Sequence, residues 1–200
     1  MYKRQACDPA FNFVYEANIR YLHHLGEVTY FSPLADTSLP DAGFVYLPGG
    51  YPELYLAALS ANRQMLQSIR RYVESGGKLL AECGGMMYLC DEIRDKNGYV
   101  YPMAGVLHQS ATMENMKLRL GYRTLLYNET RLKGHEFHYS RLVEQQNPLP
   151  SCAVAYTAKG VETDTPLYHY KNVWAGYTHL YWADPVGNEW FTKFVIDGNT

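Results

Sequence analysis

Cysteine is scarce in this 200-residue sequence, and its four cysteines lack the spacing of a metal or disulfide site. Cys7, Cys83, Cys90 and Cys152 include no CxxC pair and no repeat of the kind that builds zinc knuckles. If Cys83 and Cys90 share a helix, they lie about 10 Å apart, too far for a disulfide bond. We therefore expect free thiols in a reducing cytoplasm.

Long runs of charge and long apolar runs are also missing. The 18 basic and 20 acidic residues give a net charge of -2, with no five consecutive like charges, which argues against a nucleic-acid-binding arm. No apolar stretch approaches the roughly 20 residues that span a bilayer, and the basic start is not followed by an apolar signal segment. These absences predict a cytoplasmic protein that binds a small substrate or another protein domain, with no nucleic acid and no membrane.

What the sequence does contain is enough apolar side chain for one substantial core, since 47% of its residues are hydrophobic and 14% are aromatic. Folded domains usually contain roughly 100–200 residues, so we predict one domain over residues 1–200. No internal repeat, low-complexity tract or linker divides the sequence.

The first half of the chain alternates helical and strand-like patterns. Apolar residues at helical spacing over residues 13–25 precede a strand pattern over residues 28–31. Continuous apolar runs at residues 44–47 and 78–81 flank a helical pattern that Asn62 can cap, which predicts buried parallel strands joined by a right-handed crossover. This order predicts an α/β fold with a flavodoxin-like layered sheet.

After residue 97 the pattern changes to short segments rich in tyrosine, valine and leucine. We predict that they are extended, partly antiparallel strands added to the same domain. They cover residues 118–127, 134–143, 153–156 and 167–170. The aromatic-rich residues 185–196 predict a helix that closes the fold.

The segment at residues 78–89 carries the strongest chemical signal. An apolar strand is followed by a tight turn at Cys83 and by a helical pattern, which is the outline of a nucleophile elbow. Backbone N–H groups at a helix N-terminus favour the thiolate form. Cys83 is therefore the best nucleophile candidate, and from turn geometry alone the alternative is an inert buried thiol.

A second glycine-rich turn, Pro-Gly-Gly-Tyr-Pro-Glu at residues 48–53, follows the preceding strand. It should lie at the same edge of the sheet as Cys83, where open α/β sheets bind ligands. We predict that the N–H groups of Gly50, Tyr51 and Gly84 form an oxyanion hole. The turn is not a phosphate loop, because it lacks the Lys-Ser/Thr ending.

A cysteine nucleophile needs a proton acceptor, and histidine titrates in a suitable range. His179 ends a strand-like segment that can return to the sheet edge, and residues 134–140 supply His135 and His138. Spacing alone does not choose among these histidines. Zincins place two histidines four residues apart on a helix, whereas His135 and His138 are three apart in an extended segment. We expect no metal site, and assign His135, Glu136 and His138 to packing or to contact with a substrate or an interface.

Several strings together resemble the cobyrinate a,c-diamide synthase family, which contains a CobB/CobQ-type class I glutamine amidotransferase domain. They are Pro-Gly-Gly-Tyr-Pro-Glu at residues 48–53, Ala-Glu-Cys-Gly-Gly-Met-Met-Tyr-Leu at 81–89, Cys-Asp-Pro-Ala-Phe-Asn-Phe at 7–13, Leu-Gly-Tyr at 120–122 and Gly-His-Glu-Phe-His-Tyr-Ser at 134–140. The resemblance covers nearly the whole chain. It implies a three-layer, mostly parallel sheet with added antiparallel strands.

The resemblance implies roles for individual residues. Cys83 matches the nucleophile of the family, and His179 matches the histidine that raises its nucleophilicity, which settles the choice among the histidines. Ordinary triad amidotransferases follow this histidine with Pro-Glu, whereas Leu180 and Tyr181 follow it here. No carboxylate that orients His179 is evident, so the resemblance implies a Cys-His dyad.

By resemblance, the chain hydrolyses L-glutamine and supplies ammonia for ATP-dependent amidation of the a- and c-carboxylates of cobyrinate in cobalamin biosynthesis. The alternatives of the same CobB/CobQ type are a nickel-sirohydrochlorin a,c-diamide synthase, which shares the same plan, and cobyric acid synthase, whose elbow usually reads Gly-Ile-Cys-Gly-Gly. The alternatives outside these families are another cysteine hydrolase or peptidase of the same fold and a non-catalytic docking domain.

Two features depart from the pattern of the family. Nothing in the sequence matches its N-terminal ATP-binding synthetase domain, so ATP and Mg²⁺ are expected at that domain and no cofactor is expected in this one. The opening Met-Tyr-Lys-Arg-Gln at residues 1–5 replaces the apolar strand that normally precedes Cys-Asp-Pro. We therefore expect a truncated chain, an isolated domain or a split subunit that works with a synthetase domain in cis or in trans.

Overall fold

The structure, a computed structural model, describes residues 2–197, and its helices lie on both faces of a central sheet. The helices are α1 (Glu16–His24), α2 (Leu56–Ala61), α3 (Arg63–Glu74), α4 (Gly84–Leu89) and α5 (Pro185–Thr192), with a 3-10 turn at Pro52–Leu54 and a π-helical turn at Lys193–Asp197. The strands are β1 (Lys3–Ala6), β2 (Val28–Phe31), β3 (Phe44–Leu47), β4 (Lys78–Glu82), β5 (Glu92–Arg94), β6 (Val100–Pro102), β7 (Ser110–Thr112), β8 (Arg119–Tyr127), β9 (Thr130–His138), β10 (Arg141–Leu142), β11 (Val154–Thr157), β12 (Glu162–Thr163), β13 (Leu167–Tyr170), β14 (Val173–Gly176) and β15 (His179–Leu180).

The central sheet has the strand order β13-β14-β4-β3-β1-β2. All neighbouring strands pair in parallel except β13, which is antiparallel to β14. The parallel strands, counted along the chain, thus have the order 2-1-3-4-5 of flavodoxin-like folds. The predicted fold class is confirmed.

Side chains of the central strands alternate between two cores, one on each face of the sheet. Val45 and Leu47 of β3 pack into a core with α2, α3 and α4, whereas Phe44 and Tyr46 pack into a core with α1 and α5. Successive residues of a strand point to opposite faces, so a strand with apolar residues on both faces needs helices on both. This is why residues 44–47 form a continuous apolar run.

Strands of the second half form two further sheets. The order β10-β7-β5-β6 mixes parallel and antiparallel pairs, and the order β12-β11-β8-β9-β15 is antiparallel throughout. The predicted strand at residues 134–143 is divided into β9 and β10, and the predicted strand at residues 167–170 joins the central sheet as its antiparallel edge. The predicted closing helix is α5, which ends at Thr192 and continues as the π-helical turn.

The opening segment is a strand, contrary to the expectation from its polar sequence. β1 lies between β2 and β3 and pairs in parallel with both, with Lys3 and Gln5 buried. Hydrogen bonds to strands on both sides hold its backbone, so apolar side chains are not needed to place it. At its end, Ala6 packs into the core on the side of α3.

Three further observations concern residues 2–197. None of their helices is both long and apolar enough to cross a membrane. In this described part of the chain, no group of three or more histidine, cysteine, aspartate or glutamate side chains is arranged to hold a metal ion. All four cysteines are free thiols.

Candidate active site

Three loops meet at the edge of the central sheet where the parallel strands β1, β3 and β4 end. Phe13, from the loop after β1, donates its N–H to the carbonyl oxygen of Gly49 at 3.0 Å, and Gly50 and Tyr51 follow in the loop after β3. Cys83 comes directly after β4. The strand order reverses between β1 and β3, and such a reversal opens a crevice at this edge.

A cavity of about 250 Å³ lies between these loops. Cys83 and His179 both line it, which places the predicted nucleophile and the predicted base at one site. The remaining lining residues are Phe13, Gly50, Tyr51, His135 and Phe137. The cavity is of the size of a small metabolite, and its walls carry one thiol and two imidazoles.

Cys83 occupies a strained turn, with φ 49° and ψ -107°. Residues other than glycine rarely adopt positive φ, and such strain is typical of functional turns. The next two residues leave no room for a side chain. A β-carbon would lie 2.7 Å from Cδ of Pro52 at Gly84, and 2.1 Å from the Leu47 oxygen at Gly85. The structure thus contains the predicted strand, tight turn and short helix.

The thiol of Cys83 is buried, and its surroundings disfavour the thiolate form that the sequence predicts. Burial raises its pKa to about 12, although the backbone N–H of Gly84 acts in the opposite direction. The residue is 5% exposed, and its Sγ lies 3.7 Å from the carbonyl oxygen of Phe137. Burial prevails because α4 is a single short helix of six residues whose N-terminal end is shielded from water.

His179 reaches the cavity on β15, which belongs to the five-stranded sheet rather than the central sheet. Its partner across the strand pair is His135. The ring contacts Phe13, with ring centroids 4.3 Å apart, and also the backbone of Gly49. Burial, then the nearby His135 and His138, lowers the pKa of His179 to about 4. The imidazole is therefore neutral near pH 7 and able to accept a proton.

A carboxyl group that the sequence did not single out also faces His179. Glu82, the last residue of β4, is 2% exposed, and its Oε2 lies 4.0 Å from Nδ1 of His179. Burial raises the pKa of Glu82 to about 8. In ordinary triad amidotransferases the carboxylate follows the histidine in the sequence, whereas Glu82 precedes the nucleophile.

Asn18 was missed as well, and it fixes the segment that follows His179. It is fully buried in α1, its Nδ2 donates to the carbonyl oxygen of Leu180 at 2.7 Å, and its Oδ1 accepts from the N–H of Trp182 at 2.8 Å. β15 is a two-residue edge strand, so these bonds complete its pairing. The only indication of this role in the sequence was that Asn18 is a polar residue on the buried face of a helix.

The string at residues 134–140 is divided between the two faces of β9. His135 and Phe137 line the cavity of about 250 Å³, whereas Glu136 and His138 are buried on the opposite face of the strand, and His138 also lines a smaller pocket beside Cys83. The alternation of a strand forces this division, because residues three apart point to opposite faces.

Glu136 is the centre of a buried polar network. Its oxygens accept hydrogen bonds from His138 at 2.7 Å and from Thr165 at 2.9 Å, and Arg123 forms an ion pair with it. Burial alone would raise the pKa of Glu136, but the two hydrogen bonds and the charges of His138 and Arg123 lower it. The ring of His138 stacks on the ring of Tyr177, which directly follows β14, with centroids 3.7 Å apart. The network therefore holds β9 against the end of β14.

Residues 5–186 match the CobB/CobQ-like glutamine amidotransferase domain. The chain belongs to this family. The match includes all the residues that line the cavity and Glu82, so it concerns the whole site. The resemblance inferred from the short sequence strings is confirmed.

Curated relatives of this CobB/CobQ-like domain are longer proteins. Hydrogenobyrinate a,c-diamide synthase from Pseudomonas aeruginosa is 40% identical over 182 residues, which cover 88% of this chain and 40% of the relative. Cobyrinate a,c-diamide synthase from Fusobacterium nucleatum is 40% identical over 185 residues, which cover 88% of this chain and 40% of the relative. The chain therefore spans about 40% of the length of these relatives.

Solved structures support the fold of this family member. A crystal structure of a glutamine amidotransferase superposes with a TM-score of 0.59 at 18% identity, covering 96% of this chain and 98% of that chain. At such low identity the similarity concerns the fold alone. The fold is that of class I glutamine amidotransferases, as the sequence predicts.

Proposed function

We propose that this chain hydrolyses L-glutamine and supplies ammonia for ATP-dependent amidation of the a- and c-carboxylates of cobyrinate in cobalamin biosynthesis. The observation that carries the proposal is that Cys83, on a strained turn, and a neutral His179 line one cavity in a CobB/CobQ-like domain. The names of the relatives support cobyrinate or its metal-free form as the acceptor. The complete reaction also requires an ATP-binding synthetase domain, in cis or in trans, which would hold ATP and Mg²⁺.

The first half of the reaction acylates Cys83. His179 accepts the thiol proton while the sulfur attacks the carboxamide carbon of glutamine, so that a C–S bond forms and the carbonyl electron pair moves onto oxygen. The N–H groups of Gly50, Tyr51 and Gly84 stabilise the resulting oxyanion. Collapse of this intermediate breaks the C–N bond, and His179 returns its proton to the nitrogen, which leaves as ammonia. Because burial raises the pKa of the Cys83 thiol, the attack depends on His179 as the base that takes the thiol proton.

The second half of the reaction hydrolyses the glutamyl thioester. His179 removes a proton from water, the hydroxide oxygen adds to the thioester carbon, and the C–S bond breaks with return of the proton to sulfur. The products are glutamate and the regenerated Cys83 thiol. His135 lies beside His179 in the same cavity and contacts the bound glutamine, while Glu136 and His138 hold β9 in place.

Ammonia release from L-glutamine tests the proposal. It is measured for the wild-type chain and for Cys83→Ala, alone and with a separately expressed synthetase domain plus ATP and cobyrinate. We expect release that Cys83→Ala abolishes and that Cys7→Ser, which alters an exposed thiol, leaves unchanged. A folded protein that releases no ammonia under any of these conditions would favour a docking domain.

Two further arms test the substrate and the acceptor. Hydrolysis of peptide amides in preference to glutamine would indicate another cysteine hydrolase of the same fold. With the synthetase domain present, cobyrinate, hydrogenobyrinate and nickel-sirohydrochlorin are compared as acceptors by mass spectrometry of the amidated products. We expect the corrinoid acceptors to gain two amides, and preference for the nickel compound would overturn this part of the proposal.

A further inference from the structure

We infer that Glu82 is the positioning residue of His179, holding the imidazole in the tautomer whose Nε2 is free to accept the thiol proton of Cys83. The inference deepens the proposed glutaminase function and rests on it. Its basis is that Oε2 of Glu82 lies 4.0 Å from Nδ1 of His179, with the two residues 2% and 3% exposed. The expected Cys-His dyad thereby gains a third residue from an unexpected position in the sequence.

Nδ1 of His179 needs a partner. Within residues 2–197 this buried atom has no hydrogen-bond partner, although buried polar atoms are nearly always paired. In the same part of the chain, Glu82 is the only acidic side chain within ion-pair distance of the ring. A separation of 4.0 Å exceeds a hydrogen bond, and catalytic hydrogen bonds often shorten only when substrate is bound.

The carboxyl group of Glu82 is fixed in direction by two donors. Its Oε1 accepts the N–H of Leu180 at 3.0 Å, and its Oε2 accepts the hydroxyl of Tyr46 at 2.7 Å. A carboxylate oxygen has two acceptor sites, so Oε2 can receive both the Tyr46 hydroxyl and Nδ1–H of His179. The bond to Leu180, the residue after His179, joins the carboxyl group to the strand that carries the base.

The tautomer explains why such a contact matters. A neutral imidazole carries one proton, on either Nδ1 or Nε2. When Nδ1–H donates to the Glu82 carboxylate, Nε2 is unprotonated and can accept the proton of Cys83. When Glu82 is protonated, it donates to Nδ1, the ring proton resides on Nε2, and His179 cannot act as the base. During catalysis the carboxylate stabilises the imidazolium and no proton moves to it, as in hydrolase triads.

The charge state of Glu82 gives the inference a pH signature. Burial raises the pKa of Glu82 to about 8, so the carboxylate form increases as the pH rises towards that value. We expect kcat for glutamine hydrolysis to rise over the same range. The titratable groups that surround the pair are Tyr15, Tyr46 and Cys83 near Glu82, and His135, Glu136 and His138 near His179.

Glu82→Gln tests the inference, because the amide keeps the shape of the carboxyl group. The amide oxygen must face the N–H of Leu180, which can only donate, so the amide NH₂ lies towards Nδ1 of His179 and imposes the unproductive tautomer. We expect kcat to fall by on the order of 10²- to 10⁴-fold with KM little changed, and the rise of activity with pH to disappear. Glu189→Gln, the same change at an exposed side chain, is the matched control and should have no effect.

Tyr46→Phe provides a second test in which Glu82 is retained. The Tyr46 hydroxyl lowers the pKa of Glu82, so its removal should move the rise of kcat to higher pH. A purely structural role of Glu82 would not produce such a shift. This variant also decides the question if Glu82→Gln does not fold.

The tautomer itself is measured by ¹⁵N NMR of the histidine rings, with the signals of His179 assigned by a His179→Gln variant. Above pH 8 we expect a proton on Nδ1 of His179 in the wild type and on Nε2 in Glu82→Gln. If the wild-type chain releases no Cys83-dependent ammonia, the proposed function fails and the NMR result still decides the role of Glu82. If the chain is active and folded Glu82→Gln keeps the wild-type kcat, pH profile and tautomer, the inference is overturned.

Discussion

Gly49 lies in contact with the imidazole of His179: a β-carbon at residue 49 would be 2.1 Å from Cε1 and 2.9 Å from Nδ1 of the ring. The backbone of the turn after β3 therefore forms one wall of the space that the base occupies, and the ring of Phe13 forms another. The Gly-Gly pair at residues 49 and 50 thus does more than make a turn, because its first glycine sets the position of the histidine.

Gly49→Ala should displace His179 without unfolding the protein. We expect kcat for ammonia release to fall about 10²-fold, since a displacement of roughly 1 Å at a catalytic group has effects of that size. Gly160→Ala adds the same methyl group where nothing lies within 4 Å, and its positive φ should cost only about 1–2 kcal/mol of stability. Equal activity of the two variants would show that the ring has room to move.

Glu82 should make the protein less stable as the pH rises from 6.5 to 8. Its pKa rises from 4.5 to about 8 on folding, so the folded state binds the extra proton and stability falls through this window. The pKa of His179 falls from 6.5 to about 4, so its opposite effect is confined to lower pH. We expect the free energy of unfolding in urea to fall by roughly 2 kcal/mol from pH 6.5 to 8, and Glu82→Gln to remove this fall. An identical slope in both proteins would mean that Glu82 is ionised throughout.

Cys83 should react slowly with a general alkylating agent. Its pKa of about 12, against an ordinary value of 9.0, means roughly 10³-fold less thiolate at pH 7.5. Cys7 is exposed, so iodoacetamide should modify Cys7 well before Cys83, as measured by peptide mass spectrometry over time. A glutamine analogue such as 6-diazo-5-oxonorleucine should reverse the order, because it would occupy the proposed glutamine site beside Cys83. Comparable iodoacetamide rates at both cysteines would contradict a neutral buried thiol.

Asn18→Ala should destabilise the protein and weaken catalysis together. The change leaves the carbonyl oxygen of Leu180 and the N–H of Trp182 without their partner in the core, at about 1–3 kcal/mol for each group. We expect the free energy of unfolding in urea to fall by about 2–4 kcal/mol. Asn12→Ala, on the exposed loop before α1, should change it by less than about 0.5 kcal/mol. A small effect of Asn18→Ala would show that water replaces the side chain.

The parts of the site that the sequence predicts are local ones. The apolar run of β4, the turn at Cys83 and the small residues Gly84 and Gly85 are consecutive, and each reflects the packing of its own segment. The glycine-rich turn after β3 could be assigned to the same edge because parallel strands end together. The choice of His179 came from resemblance to a family, since spacing left several histidines open.

The parts that the sequence does not predict depend on distant segments. Glu82 contacts Leu180 across 98 positions, and Asn18 contacts Leu180 across 162. No local pattern specifies where the two-residue strand β15 returns, so the polar partners of its backbone could not be chosen. The sequence did not predict strand β1 for a related reason. Its place in the sheet depends on pairing with β2 and β3 rather than on its own side chains.

Cys83 follows β4 in the central sheet, whereas His179 lies on β15 in the five-stranded sheet, and only Tyr177 and Thr178 connect β14 to β15. The distance between the Cys83 sulfur and the His179 imidazole is therefore set by how the five-stranded sheet packs against the central sheet. Substitutions anywhere along that boundary can tune the reaction rate while leaving every reacting group intact. Differences in reaction rate among natural variants should accordingly arise from substitutions at the interface between the two sheets as often as from substitutions in the cavity.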